Sequence, residues 1–143
     1  MQWVKDQFVI DDHRTRLDMP RILGWLAESY WAGWRPLEEV RKSWDAAAVV
    51  LGLYDGQEMI GCARVVSDFT RFSYLSDVFV DPQYRGLGLG RWLVEIAVDH
   101  PAISKNSRWL LHTNDAHGLY QQLGFTAPDA AVMERPRKSL PRS

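Results

Sequence analysis

The run from Asp77 to Arg91 concentrates the residue types best suited to hold a ligand. A short apolar strand, Val78-Phe79-Val80, leads into a turn containing Arg85, Gly86, Leu87, Gly88, Leu89 and Gly90, and Arg91 follows. Glycine at 86, 88 and 90 lets main-chain N–H groups converge with no Cβ in the way. A helix beginning there adds the positive end of its macrodipole. Such a turn is suited to a phosphate or pyrophosphate, which Arg85 to Gly90 would meet with N–H donors and Arg91 with charge.

Two familiar phosphate loops do not fit. A dinucleotide fingerprint needs Gly-x-Gly-x-x-Gly, whereas this run is Gly-x-Gly-x-Gly with arginine at 91. A phosphate loop of the Walker type needs Gly-Lys-Ser/Thr, which the turn lacks. His112 and His117 invite a metal reading, but they fall on different elements with no third ligand in sequence reach, so no metal is expected. Cys62 is the sole cysteine, which excludes a disulfide framework, and its strand-like surroundings suit a small buried thiol.

The elements that must position this turn follow from periodicity. Gln7–Asp11 reads as a first strand. Asp18 caps a helix whose Met19, Ile22, Leu23, Leu26 and Tyr30 share one face, and Pro36 opens a shorter helix through about Trp44. Strands follow at Ala48–Tyr54, Met59–Ser67 and Phe72–Val80, the first two joined by an Asp55-Gly56 turn. Leu89, Leu93, Ile96 and Ala97 mark a helix that ends before Pro101. Arg108–Thr113 is a strand, Asn114 or Asp115 caps a helix through about Leu123 that Gly124 closes, and Val132–Glu134 adds an edge strand. The order predicts an α+β fold: a mixed, mostly antiparallel sheet flanked by helices on both faces.

Arg85-x-x-Gly88-x-Gly90 after an apolar strand resembles the acetyl-coenzyme A loop of the GNAT superfamily of N-acetyltransferases. Leu119-Tyr120-Gln121-Gln122-Leu123-Gly124-Phe125 is similar to that superfamily's Leu-Tyr-x-x-x-Gly-Phe block, in the right order and at a matching separation. The resemblance implies the acyl-CoA N-acyltransferase fold, acetyl-coenzyme A as cosubstrate, and direct attack of an amine on the thioester in a ternary complex.

It also implies roles. The backbone of Val78, Phe79 and Val80 should pair with the pantetheine arm by strand addition, one N–H facing the thioester oxygen. Tyr120 should be the general acid, since a phenol of ordinary pKa about 10 keeps its proton at neutral pH, and it should also contact the cofactor; the alternative is that it packs the last helix on the sheet. Asn114 either caps that helix or contacts the coenzyme arm. An alkylamine is roughly 0.1% neutral at pH 7 and needs a base. The candidates are Asp77, as base or amine anchor, and a water held by it, against a carboxylate that caps or pairs with an arginine. Tyr74 and Ser76 lie where some family members carry base residues, but neither is basic. Trp25, Tyr30, Trp31, Trp34 and Trp44 crowd the first helices, and the resemblance puts this region over the acceptor. Tyr30, Trp31 and Trp34 are therefore candidate substrate contacts, with core or subunit interface as alternatives.

With 143 residues, 46% apolar, the chain is expected to form one domain over 1–143, with about 135–143 a loose basic tail carrying Arg135, Arg137, Lys138 and Arg142. A net charge of −1 gives no pull toward nucleic acid. No apolar run is long enough to cross a membrane, and the amino terminus lacks an apolar signal core, so a cytoplasmic location is expected. The favoured partner is a small-molecule amine, with a homodimer plausible. The rivals are a protein lysine or N-terminal acetyltransferase and a non-catalytic coenzyme A-binding module.

Overall fold

A computed structural model describes residues 1–29 and 35–136. Six strands form one sheet in sequence order: β1 Gln2–Lys5, β2 Phe8–Asp11, β3 Val49–Asp55, β4 Glu58–Ser67, β5 Phe72–Val80 and β6 Arg108–Leu110. All neighbours are antiparallel except β5 and β6, which run parallel. Among the described residues, four α-helices accompany it: α1 Met19–Ala27, α2 Leu37–Asp45, α3 Leu89–Val98 and α4 His117–Gln122.

The alternation of side chains along each strand divides the core in two. Val49, Leu51 and Leu53 of β3 join Ile60, Ala63 and Val65 of β4 on the face covered by Leu89, Leu93, Val94 and Ala97 of α3. Val50, Tyr54, Met59 and Cys62 point the other way, against Ile22 and Leu26 of α1 and Val40 and Trp44 of α2. Asp18 caps α1 by accepting from the Arg21 N–H at 3.1 Å. Pro36 precedes α2 as its cap instead of opening its first turn.

Several expectations need correction. The amino terminus adds a strand, β1, through a tight hairpin at Asp6 (φ 55°). It is mostly exposed, so no apolar alternation marked it. The strand expected at Val132–Glu134 is absent. There the Val132 N–H turns back to Asp129 O, and Met133 is 93% exposed, leaving no face to bury. His100, whose place the sequence pattern does not mark, is buried and bonds Asp12 Oδ2 through Nε2 at 2.8 Å. β6 stops at Leu110, short of Thr113, because β5 offers it no partner beyond Tyr74. The last residues of the expected basic tail, 137–143, lie outside the described residues.

Candidate active site

The site is built where β5 and β6 part. β5 pairs with β6 only from Phe72 to Tyr74. Its other edge stays on β4, with a register shift: Cys62 faces Phe79 while Arg64 faces Ser76. One extra residue on β5 is a bulge, which bends the strand and ends regular pairing. Asp77 sits in the bulge with a left-handed φ of 56°. A cleft of about 190 Å³ opens beside it, lined by Tyr74, Asp77 and Val78 of β5, by His112 and Asp115 of the loop after β6, and by Tyr120 of α4.

The open edge of β5 can be read from one bond. The Asp81 N–H donates to Ile60 O at 2.8 Å, toward β4. Alternate residues of a strand face opposite edges, so Val80 and Val78 present their main-chain groups to the unpaired side. Phe79 does not. Its backbone opposes Cys62, and its ring stacks on Trp25 with centroids 4.9 Å apart, on the α1 face. Of the three residues expected to meet a pantetheine arm, two are thus presented to the cleft side.

Past β5, Gly86 and Gly88 have φ of 84° and 76°, the left-handed region that costs an L-residue about 1–2 kcal/mol. Gly90 differs: it lies inside α3, its φ is not positive, and a Cβ there would sit 3.7 Å from Val80 Cγ2. The third glycine is required neither by φ nor by space. The first helical bond of this turn runs from the Trp92 N–H to Gly88 O. None of the N–H groups from Gly86 to Arg91 has an acceptor among the described residues. Unpaired donors at the head of a ten-residue helix favour an anion. Arg85 locks the entry by donating from Nε to Val80 O at 3.0 Å. Arg91 is committed to the helices: its Nε reaches Glu95 Oε1 at 2.9 Å and its Nη1 reaches Gln122 Oε1 at 2.7 Å, tying α3 to α4.

Asp77 is held on both oxygens. Arg64 Nε donates to Oδ2 at 2.7 Å and Arg35 Nη2 to Oδ1 at 2.9 Å, and the side chain is 1% exposed. Both oxygens of this carboxylate are thus occupied by guanidinium donors. Of the readings open in the sequence, the arginine pair is the one the geometry forms. Next to it, burial pushes the Cys62 thiol up, the Asp77 carboxylate adds to that and Arg64 opposes it, so this cysteine stays a thiol.

Tyr120 lines the cleft, set edge-on to Phe125 with centroids 5.8 Å apart. Asn114 does not cap α4. That helix begins later, with Ala116 at its cap position, and the Ala116 N–H takes Thr113 Oγ1 at 3.1 Å. Asn114 itself is exposed, ahead of the helix. Trp44 is core, and Tyr30, Trp31 and Trp34 lie outside the described residues. The residues that sequence reasoning missed are Arg35 and Arg64, and the pairing of Tyr74 Oη with His112 Nδ1 across the cleft mouth. The alternation of β4 placed Arg64 on the same face as Cys62, and that was the one available signal.

Among the described residues, Asp11, Asp12 and His13 are the one cluster with metal-ligand groups drawn together. Their carboxylates already serve Gln2, Arg16, the amino terminus and His100.

A sheet split beside a bulge, with a glycine turn at the end of the bulged strand, defines the acyl-CoA N-acyltransferase fold. The family model described as an acetyltransferase (GNAT) domain matches residues 46–127, so the chain belongs to the GNAT acetyltransferase family. A crystal structure from Xanthomonas campestris pv. campestris, described as belonging to that family, superposes with a TM-score of 0.84 at 34% identity, covering 91% of this chain and 93% of the other. The chloroplastic GCN5-related N-acetyltransferase 2 of Arabidopsis thaliana is 39% identical over 82 residues, 53% of this chain and 30% of its own length. The mycothiol acetyltransferase of Corynebacterium glutamicum is 27% identical over 107 residues, 72% of this chain and 37% of its own length. The chain spans from 30% to 64% of the length of the first curated relatives it matches.

Proposed function

We propose that this chain moves an acetyl group from acetyl-coenzyme A to a primary amine of a small molecule, by direct attack within a ternary complex. The observation that carries the reading is the unbroken run of N–H groups from Gly86 to Arg91 that have no acceptor among the described residues, next to the open edge of β5. That donor set fits a diphosphate, and open space lies where a Cβ at Gly86 or Gly88 would be. Bound there, acetyl-coenzyme A supplies an acetyl thioester at the cleft.

This chain's residues do the rest. The backbone of Val78 and Val80 receives the extended arm as an added strand. An N–H of that edge, aimed at the thioester oxygen, stabilises the charge that develops there and is worth ~3 kcal/mol of barrier. Tyr120 gives its phenolic proton to the departing thiolate. Asp77 holds Arg35 and Arg64 in place and does not act as the base. The cleft of about 190 Å³ supports a small acceptor over a protein tail, which needs an open groove.

The test has two arms. Calorimetry with coenzyme A should show one-site binding; absence of heat at millimolar ligand sinks the reading. Thiol release from acetyl-coenzyme A should then be followed with tyramine, putrescine, glucosamine and an alanyl peptide. Acetylation of the peptide alone would move the acceptor to the protein class. Binding without turnover on any of them would favour a non-catalytic coenzyme module.

A further inference from the structure

The proposed reaction lacks a base once Asp77 is committed to two arginines. We infer that the proton acceptor for the amine is His112, reached through the hydroxyl of Tyr74. This inference rests on the acetyltransferase reading and supplies a group that reading leaves open.

The observation is a pairing across elements. Tyr74, the last β5 residue paired with β6, places its Oη against His112 Nδ1, in the loop just after β6. The rings lie with centroids 5.6 Å apart, tilted by 49°. Both side chains line the cleft that also holds Asp77, Val78 and Tyr120. Neither residue would serve alone. A phenol is too weak a base at neutral pH, and a histidine in a loop is usually just solvated. Joined, they form a relay whose far end is an imidazole, the side chain suited to exchanging protons between pH 5 and 8.

Tyr74 donates its hydroxyl hydrogen to Nδ1, so the neutral ring carries its proton on Nε2. An ammonium N–H of the acceptor breaks, and the electron pair stays on nitrogen, ready to attack. The released proton passes to Tyr74 Oη as the phenolic proton passes to Nδ1. The imidazolium formed then releases a proton to water, because His112 is exposed. Tyr120 gives its proton to the thiolate as the C–S bond breaks, in a separate event from another wall of the same cleft, and the second proton shed by the nitrogen as the amide forms restores the phenol. Four titratable or charged groups face this cleft beside His112: Tyr74 and Asp77 from β5, Asp115 from the loop, and Tyr120 from α4. Both Asp77 oxygens are engaged by its arginines.

The experiment uses the full chain, His112→Ala and Tyr74→Phe, with the fastest amine among tyramine, putrescine and glucosamine. His112→Ala should lower kcat/KM at pH 7 by about 10²-fold or more, with added imidazole restoring part of it. The deficit should shrink as pH approaches the amine's own pKa, where the neutral amine no longer needs a base. Tyr74→Phe should show a comparable loss of the same pH form, because the proton reaches His112 through that hydroxyl. Coenzyme A affinity by calorimetry should be unchanged in both. A second readout needs no turnover: long-range proton–nitrogen spectra of the free protein should show His112 protonated on Nε2, and Tyr74→Phe should disturb that tautomer. Full activity of His112→Ala at pH 7, or an imidazole proton on Nδ1 in the wild-type protein, overturns the relay while leaving the acetyltransferase reading intact. A wild-type protein that binds no coenzyme A fails that earlier reading, and the relay with it.

Discussion

Arg64 Nε donates to Asp77 Oδ2 across 2.7 Å, and the pair lies on the residue at which β5 bulges. The Cys62 thiol adds a 3.6 Å contact to the Asp77 carbonyl. The ion pair therefore does two things: it neutralises a buried arginine, and it fixes the bend that separates β5 from β6. Asp77→Ala should cost about 3–5 kcal/mol in urea unfolding, because it leaves Arg64 buried without its counter-charge. Replacing both partners, Asp77→Asn with Arg64→Met, should recover most of that loss. A cost below about 1 kcal/mol for Asp77→Ala would show that the bulge is held by other contacts.

The three glycines of the turn should behave differently. Gly88→Ala forces a Cβ into the left-handed region and should cost about 1–2 kcal/mol, with a parallel loss of coenzyme A affinity. Gly90→Ala occupies helical backbone with ordinary contact to Val80 and should raise stability by about 0.5–1 kcal/mol. Thermal and urea midpoints of the two variants check this directly. Equal destabilisation by both would mean that Gly90 is also conformationally required.

Acid should weaken the fold through Asp11. Burial raises its pKa, but hydrogen bonds from Gln2, from the His13 N–H and ring, and from Arg16 outweigh burial and hold the carboxyl well below the usual range. A depressed folded pKa gives stability that is complete above the unfolded value of about 3.9 and lost as pH falls toward the folded one. Melting temperature should therefore drop between about pH 5 and pH 2, and Asp11→Asn should flatten that slope. At the alkaline end, burial pushes the Tyr54 phenol up to about 12, against the opposing pull of Arg16. That stability is present below about pH 10 and lost as pH rises above it, which Tyr54→Phe should remove.

Tyr120→Phe isolates the acid role. The ring would keep its edge-on packing against Phe125, so folding should be little changed. Turnover at pH 7 should fall by about 10²-fold or more while coenzyme A affinity holds. Unchanged kcat, measured by thiol release, would return Tyr120 to a packing role.

Local signals carried much of this fold into view. The glycine turn, the apolar run before it and the Leu119–Phe125 block were legible because each is written in contiguous residues. The near-continuous apolar runs of β3 and β4 and the Asp18 cap were legible for the same reason. β1 was not, because a mostly exposed strand has no buried face to leave a pattern. The absent strand at Val132–Glu134 failed in the opposite sense, since its residues can look extended without finding a partner edge.

What the sequence determined by itself was the chemistry of binding: N–H donors freed by glycine, at a helix start, after a strand. Those depend on backbone conformations that neighbouring residues set. What only the tertiary structure decided was which side chains meet at the cleft. Arg35 and Arg64 converge on Asp77 from 42 and 13 residues away, and Tyr74 meets His112 across 38. Ionic partners recruited from distant elements leave no periodic trace. Whether a carboxylate is a base or an anchor, and whether a phenol has an imidazole behind it, is settled only when the sheet brings those strands together.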